Sequence, residues 1–245
     1  MSQNTKHLNN YIATTIRKMS FLAYNAMETR LLNIKRAIKG ENMEIKELEN
    51  KIINADCIDI LKQLPDKCID LVLTDHPYGI GISKNPVRQK HKKKDWDAVT
   101  PINEVFNQIF RVSKNQIIWG GNYFSLPPTQ GFFIWNKLQP ENFSLSMCEY
   151  AWSSKQQPAK LFTLSVLDEK NKIHPTQKPV KLFEWLIHRE TKENELVLDC
   201  FSGSGTTAIA CHRLKRRFIC IEKDKEYWAK SCERLKAEQD KLQLF

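Results

Sequence analysis

The sequence has no Cys-x-x-Cys pair, and none of its seven cysteines stands at zinc-ligand spacing from a histidine. A structural metal site therefore has no sequence basis, and reduced thiols are expected. No apolar stretch approaches the roughly 18 residues of a membrane span, and the polar first residues contain no apolar core of a secretion signal. These absences lead to the expectation of a soluble cytoplasmic protein without a membrane partner. Acidic residues are the scarcer charge: 28 Asp and Glu stand against 38 Lys and Arg, 38 − 28 = +10. The excess gathers in particular stretches, which points either to a polyanion such as nucleic acid or to a generally basic protein. No internal repeat occurs, and the length of 245 residues fits one large α/β domain or a domain with a small appendage.

Residues 1–42 differ from the rest, being rich in Asn, Lys and Arg. Ile16, Met19, Leu22, Ala23, Met27, Leu31, Ile34 and Ile38 recur at helical spacing, so a helical N-terminal extension is expected, punctuated by Gly40. It would be an accessory arm, translated upstream sequence, or a helix packed on the core. From residue 43 to residue 245 the pattern is that of one α/β domain. Strands are expected at Ile52-Ile53, Leu71 to Thr74, Ile117 to Trp119, Phe132 to Trp135, Glu149 to Trp152, Leu161 to Leu164, Glu195 to Leu198 and Phe218 to Ile221. Helices are expected from Ile58 to Leu64, Pro101 to Val112, Val180 to His188, Thr206 to Leu214, and Asp224, a plausible cap, to about Leu242. The fold class is α/β, a Rossmann-like sheet with helices on both faces.

The strand Leu196-Val197-Leu198 runs into Asp199-Cys200-Phe201-Ser202-Gly203-Ser204-Gly205-Thr206-Thr207. Two glycines there allow a sharp turn that brings backbone N–H groups at a helix start toward a ligand. About twenty residues on, Glu222 ends the next strand, where a carboxylate can accept hydrogen bonds from ribose hydroxyls. Alternatively, the glycines form only a turn and Glu222 caps its own helix. No Gly-Lys-Ser/Thr follows, and the third small residue of a dinucleotide loop is out of register, so a nucleoside-like ligand without a pyrophosphate fits best.

A second strand, Leu71-Val72-Leu73, leads into Asp75-His76-Pro77-Tyr78. The exocyclic amine of a nucleobase is a weak nucleophile because its lone pair is delocalised into the ring. Asp75 can accept one of its N–H groups and the backbone carbonyl of residue 76 the other, which localises and aims that pair. Tyr78 offers a face on which an extruded base stacks, and Pro77 stiffens the loop.

These residues resemble the S-adenosylmethionine-dependent amino-methylating DNA methyltransferases, the adenine N6 and cytosine N4 family, of the β-order, prophage-type group in which the catalytic motif precedes the cofactor loop. The resemblance covers roughly residues 44–235. The family pattern is Asp-Pro-Pro-Tyr for adenine enzymes and usually Ser-Pro-Pro-Tyr for cytosine enzymes, so Asp75 implies adenine. His76 departs from the pattern: it keeps the carbonyl, relaxes the backbone and adds a titratable ring. His174-Pro175-Thr176-Gln177-Lys178-Pro179 also matches the family, and there the resemblance implies that Thr176, Gln177 and Lys178 meet the methionine end of the cofactor. It assigns Asp199, Phe201, Gly203, Ser204, Gly205, Thr206, Thr207 and Glu222 to the same cofactor. Asp56 is expected near the cofactor's adenine, or as a cap of the following helix. Trp119-Gly120-Gly121-Asn122-Tyr123 and Phe132 to Lys137 are expected to line the base pocket.

Directly after the catalytic tetrapeptide comes a basic run containing Lys84, Arg88, Lys90, Lys92, Lys93 and Lys94, with no acidic residue before Asp95. Its position favours contacts to DNA phosphates, which supply affinity and carry no sequence choice. Arg213, Lys215, Arg216 and Arg217 form a second cluster, read as a solvated helix end. The function expected is methylation of adenine N6 in double-stranded DNA. The alternatives are cytosine N4 methylation and a DNA-binding homologue inactivated at residue 76. Cytosine carbon-5 chemistry is disfavoured, because no Pro-Cys nucleophile loop is present. Target recognition is expected in the variable region between residues 84 and 172, which leaves little room for a large recognition domain, so a homodimer or the N-terminal arm would add DNA surface.

Overall fold

The computed structural model describes residues 44–77, 103–142, 146–167 and 172–242. The expected N-terminal helix, Tyr78 and the basic run from Lys84 to Lys94 lie outside these residues. Within them the order is α1 (Ile45–Leu48), β1 (Lys51–Asn54), α2 (Cys57–Leu61), β2 (Ile69–Asp75), α3 (Asn103–Val112), β3 (Ser113–Trp119), a 3-10 turn (Gly121–Tyr123), β4 (Phe132–Asn136), β5 (Cys148–Ser153), β6 (Lys160–Thr163), α4 (Val180–Glu190), β7 (Leu196–Asp199), α5 (Thr206–Arg213), β8 (Arg217–Glu222) and α6 (Lys225–Leu242). Every strand expected from the apolar runs is present. The helix expected through Leu64 ends at Leu61, and the one starting at Asp224 begins one residue later because Asp224 caps it, its Oδ1 accepting from the N–H groups of Glu226 and Tyr227.

The eight strands form one sheet in the order β1-β8-β7-β2-β3-β5-β4-β6. All pairs from β1 to β3 are parallel, while β5 runs antiparallel to both β3 and β4. All four residues of β7 and the consecutive run Leu71 to Thr74 of β2 are buried, the pattern of inner strands covered on both faces. Their apolar continuity in the sequence has this cause. In α3, Val105, Ile109 and Val112 recur on one buried face, which explains the helical period there.

The crossover from β2 leads outward to β3, and that from β7 leads the opposite way to β8. The neighbouring strands β2 and β7 are therefore the switch point of the sheet, where open α/β folds leave a crevice at the carboxyl strand ends. Val72 pairs with Leu198, so Asp75 and Asp199 leave adjacent parallel strands on the same rim.

Candidate active site

Four carboxylates mark this rim: Asp56 after β1, Glu222 ending β8, Asp199 ending β7 and Asp75 ending β2. Asp56 caps α2, its Oδ1 accepting from the Ile58 N–H at 3.2 Å, and its Oδ2 accepts from Lys223 Nζ at 2.8 Å. Burial works to raise its pKa, yet the Lys223 ammonium and the Ile58 N–H hold it below the ordinary carboxylate value.

The glycine loop is tied together by its own side chains. Asp199 is buried and accepts from the Phe201 N–H at 3.1 Å and from the Thr207 hydroxyl. Burial pushes its pKa up to about 6. Glu222 accepts from the Gly203 N–H at 2.8 Å through Oε2 and from the Asp224 N–H at 2.7 Å through Oε1, and burial lifts it to about 7. Gly203 and Gly205 take the left-handed φ values of 50° and 74°. A Cβ on Gly205 would also come within 3.1 Å of Ser231 Cβ, so glycine is required there by packing as well as by backbone. Ser204, Thr206 and Thr207 are buried; the Ser204 and Thr206 hydroxyls bond each other, and Arg234 donates to the Ser204 carbonyl at 3.0 Å and to Thr206 Oγ1 at 3.2 Å. These three residues, assigned by resemblance to the cofactor, brace the loop internally. Arg234 was invisible to sequence reasoning because it arrives from α6.

On the β2 side, His76 is 2% exposed. Its ring stacks on Phe106 at 4.8 Å between centroids and lies 4.6 Å from Phe201 of the glycine loop, with Phe124 closing the cage at 5.6 Å. Neither ring nitrogen has a hydrogen-bond partner among the described residues, and burial drives its pKa down to about 3, so the ring is neutral. The expected titratable ring on a relaxed loop is thus a fixed aromatic wedge linking the two motifs.

Lys178 has acidic partners that the sequence did not reveal. Its ammonium donates to Asp75 Oδ2 at 2.6 Å and lies 3.0 Å from Glu149 Oε2, and the other Glu149 oxygen is 2.8 Å from Lys137 Nζ. The Lys178 ammonium also lies over the Trp119 ring, 5.3 Å from its centroid. Both lysine side chains are nearly buried, at 5% and 7% exposure. Desolvation opposes the charge on Lys178, but Asp75 and Glu149 outweigh it and raise its pKa. Desolvation likewise works to raise Glu149, and the two lysines overcome it and draw it down to about 2. Of the neighbouring motif residues, Thr176 bonds the His174 ring through its N–H at 3.3 Å, and Gln177 Oε1 accepts from the Ile173 N–H at 3.0 Å. Trp119 and Lys137, expected in the base pocket, are buried parts of this rim, whereas Asn122 and Tyr123 are exposed.

A family model described as DNA methylase, of the N6/N4 type, matches residues 134–233. The type II methyltransferase M2.LlaDCHI of Lactococcus lactis subsp. cremoris is 30% identical over 235 residues, covering 74% of this chain and 87% of that protein. The chain belongs to the N6/N4 DNA methylase family. The type II methyltransferase M2.DpnII of Streptococcus pneumoniae is 29% identical over 243 residues, covering 77% of this methylase and 90% of the relative. Among solved structures, one described as an M1.HpyAVI–SAM complex superposes with a TM-score of 0.53 at 24% identity, covering 76% of this chain and 98% of that one. The PvuII DNA methyltransferase, described as cytosine-N4-specific, gives 0.56 at 18% identity over 78% and 90% of the two chains. These structures share the fold of this DNA methyltransferase.

The second basic cluster is a solvated helix end only in part: Lys215 is exposed, but its arginines are engaged. Arg213 pairs with Glu184 and Glu238, Arg217 with Glu49, and the 9% exposed Arg216 donates to the Thr191 carbonyl at 2.9 Å. These arginines staple α4, α5, α6 and the strand starts together. No helix among the described residues is long and apolar enough to cross a membrane.

Proposed function

We propose that this methylase transfers a methyl group to the N6 amine of adenine in double-stranded DNA, with S-adenosylmethionine as the donor. The observation that carries the reading is the position of Asp75 at the end of β2, beside the glycine loop of β7, at the switch point of the sheet. An aspartate rather than a serine at the head of the tetrapeptide favours adenine over cytosine.

The donor set of the glycine loop suits a cationic nucleoside and not a pyrophosphate. Asp199, Glu222 and Asp56 ring it with carboxylates, and the nearby cations Lys223 and Arg234 are engaged with Asp56 and with the loop itself. Two hydrogen bonds are drawn to the Glu222 carboxylate, which leaves lone pairs for a ribose diol. Thr176 and Gln177 are the residues that the resemblance implies for the amino-acid end. When bound, S-adenosylmethionine supplies an electrophilic methyl on a sulfonium. The carboxylates of Asp75 and Asp199 and the ring of Phe201 provide the negative field and aromatic face that such a cation prefers.

Asp75 accepts one N–H of the target amine and the residue 76 carbonyl the other, orienting its lone pair for in-line attack. As the new C–N bond forms, the methyl–sulfur bond would break with its electron pair left on a neutral thioether, and the amine's surplus proton is released, with Asp75 to accept it. Tyr78 stacks the everted base, and Lys84, Arg88, Lys90, Lys92, Lys93 and Lys94 contact phosphates beside it.

Sequencing that detects modified bases, on DNA from cells expressing the chain, is expected to report N6-methyladenine in one sequence context. N4-methylcytosine would reassign the base, and unmodified DNA would sink the reading. Asp75→Ala is expected to lower transfer by at least about 1,000-fold while leaving cofactor binding nearly native. Native turnover in that variant would remove Asp75 from its role.

A further inference from the structure

The rim holds an alternating row of charges, Asp75, Lys178, Glu149 and Lys137, each within 3.0 Å of the next, and methyl transfer as described uses Asp75 but neither lysine nor Glu149. Its members come from four places in the chain: the end of β2, the loop before α4, the start of β5 and the residue after β4. Glu149 reaches this rim only because β5 runs antiparallel, so that its amino end lies beside the carboxyl ends of β2, β3 and β4. The row is neutral overall, with two cations and two anions, which is the condition for keeping buried charges ionised.

Burying two lysines at 5% and 7% exposure is costly unless their ammonium groups are used. Lys137 has Glu149 as its ion-pair partner and its ammonium lies 5.7 Å from the Trp135 ring centroid, so it serves to hold Glu149 in place. Glu149 spans both lysines and shares the Lys178 ammonium with Asp75, which Lys178 meets at Oδ2. Among the described residues, the titratable and charged groups near Asp75 include the Lys178 ammonium, the buried Asp199 carboxyl, which feels its charge, and the neutral His76 ring beside it in sequence. Lys178 is thus the cation positioned to set both the ionisation and the rotamer of the amine acceptor.

We propose that Lys178, steadied by Glu149 and Lys137, is a positioning residue that keeps Asp75 ionised and oriented for the target amine. This rests on the reading of Asp75 as the amine acceptor. It gives Lys178 a role other than the cofactor contact that the resemblance implies for it. A lysine contacting the cofactor would change cofactor affinity, whereas a clamp on Asp75 changes kcat and the pH at which the acceptor becomes active.

The experiment follows the Asp75 carboxyl by carbon-13 NMR titration in the full chain, alongside cofactor affinity and single-turnover transfer. In Lys178→Met the titration of Asp75 is expected to move upward, because the nearest cation is gone. In Glu149→Gln it is expected to move downward, because an anion is gone while Lys178 stays charged. Opposite directions from two variants are not produced by loosened packing. With cofactor saturating, kcat of Lys178→Met falls roughly 100-fold and its acidic limb moves to higher pH, while cofactor affinity stays within about twofold. Lys178→Arg, keeping the charge, recovers part of the rate. Should Lys178→Met fail to fold, Glu149→Gln and Lys178→Arg still read the clamp. Unmoved Asp75 titration, or weakened cofactor binding with native kcat at saturation, overturns the proposal. If the native chain transfers no methyl, the functional reading falls, and the two titration shifts alone decide the clamp.

Discussion

On the β1, β8 and β7 side of the rim, Asp199 and Glu222 are met by backbone N–H groups and a hydroxyl, with no cation in ion-pair contact among the described residues, and burial lifts them to about 6 and about 7. On the β3, β4 and β5 side, Glu149 meets two ammonium groups, and the same desolvation is overcome until it sits at about 2. The two halves belong to one sheet edge and use the same functional group. What separates them is the partner: neutral donors leave a buried carboxylate poised to change charge near neutral pH, while buried lysines fix it as an anion. Asp199 and Glu222 are therefore the rim carboxylates whose charge responds to pH near neutrality, while Glu149, like the Lys223-paired Asp56, stays an anion there.

The largest break in that contrast is expected from Lys137→Met. Glu149 keeps Lys178 but loses its other cation, and the fold is expected to lose about 2–3 kcal/mol, measured as a lowered urea midpoint. The sign of the pH dependence sharpens the point. The Glu149 pKa is lowered from 4.5 to about 2, so its stabilisation is present above 4.5 and disappears as pH falls toward about 2. Asp199 and Glu222 are raised from 3.8 and 4.5 to about 6 and about 7, so they favour the fold at low pH and withdraw that contribution as pH rises through those values. In Lys137→Met the acid limb of stability is expected to begin at higher pH while the neutral limb stays put. An unchanged acid limb would mean that Lys137 does not hold Glu149 down.

Next in size is Glu222→Gln. In the native chain, affinity for S-adenosylmethionine is expected to rise severalfold between about pH 6 and about pH 8 as Glu222 ionises, and in the variant to become nearly flat. Calorimetric titration at several pH values measures it, and a slope that persists in the variant would transfer the effect to Asp199. The smallest expected effect is that of His76→Pro. It removes ring packing against Phe106 and Phe201 and also removes two buried nitrogens without partners, opposing terms of about 1–2 kcal/mol each. The thermal midpoint is expected to move by only a few degrees, roughly 2–4 °C. A large drop would show that the ring nitrogens have a partner in solution.

The inner strands were legible because residues buried on both faces leave continuous apolar runs such as Leu71-Val72-Leu73 and Leu196-Val197-Leu198. Asp56 and Asp224 were legible as caps because that role depends only on residues two or three positions away. The partners of Lys178 were not. Asp75 is 103 positions from it, and Glu149 arrives through the reversed direction of β5, which no periodicity encodes. The internal bracing of the glycine loop was hidden for a related reason: Arg234, 30 and 28 positions away, donates to the Ser204 carbonyl and to the Thr206 hydroxyl, which also bonds the Ser204 hydroxyl. Arg213, Arg216 and Arg217 read as surface charge until their acidic and carbonyl partners on other elements are known.

The reversed strand also sets where this enzyme can be cut and rejoined. Lys137 and Glu149 flank the connection between β4 and β5, so chimaeras that exchange only residues 138–147 keep that ion pair, while the incoming segment must replace the Ser146 hydroxyl and the Met147 carbonyl that meet Lys137. Exchanges whose junctions fall outside the pair replace one or both charges, and must supply them again or be grafted in vain.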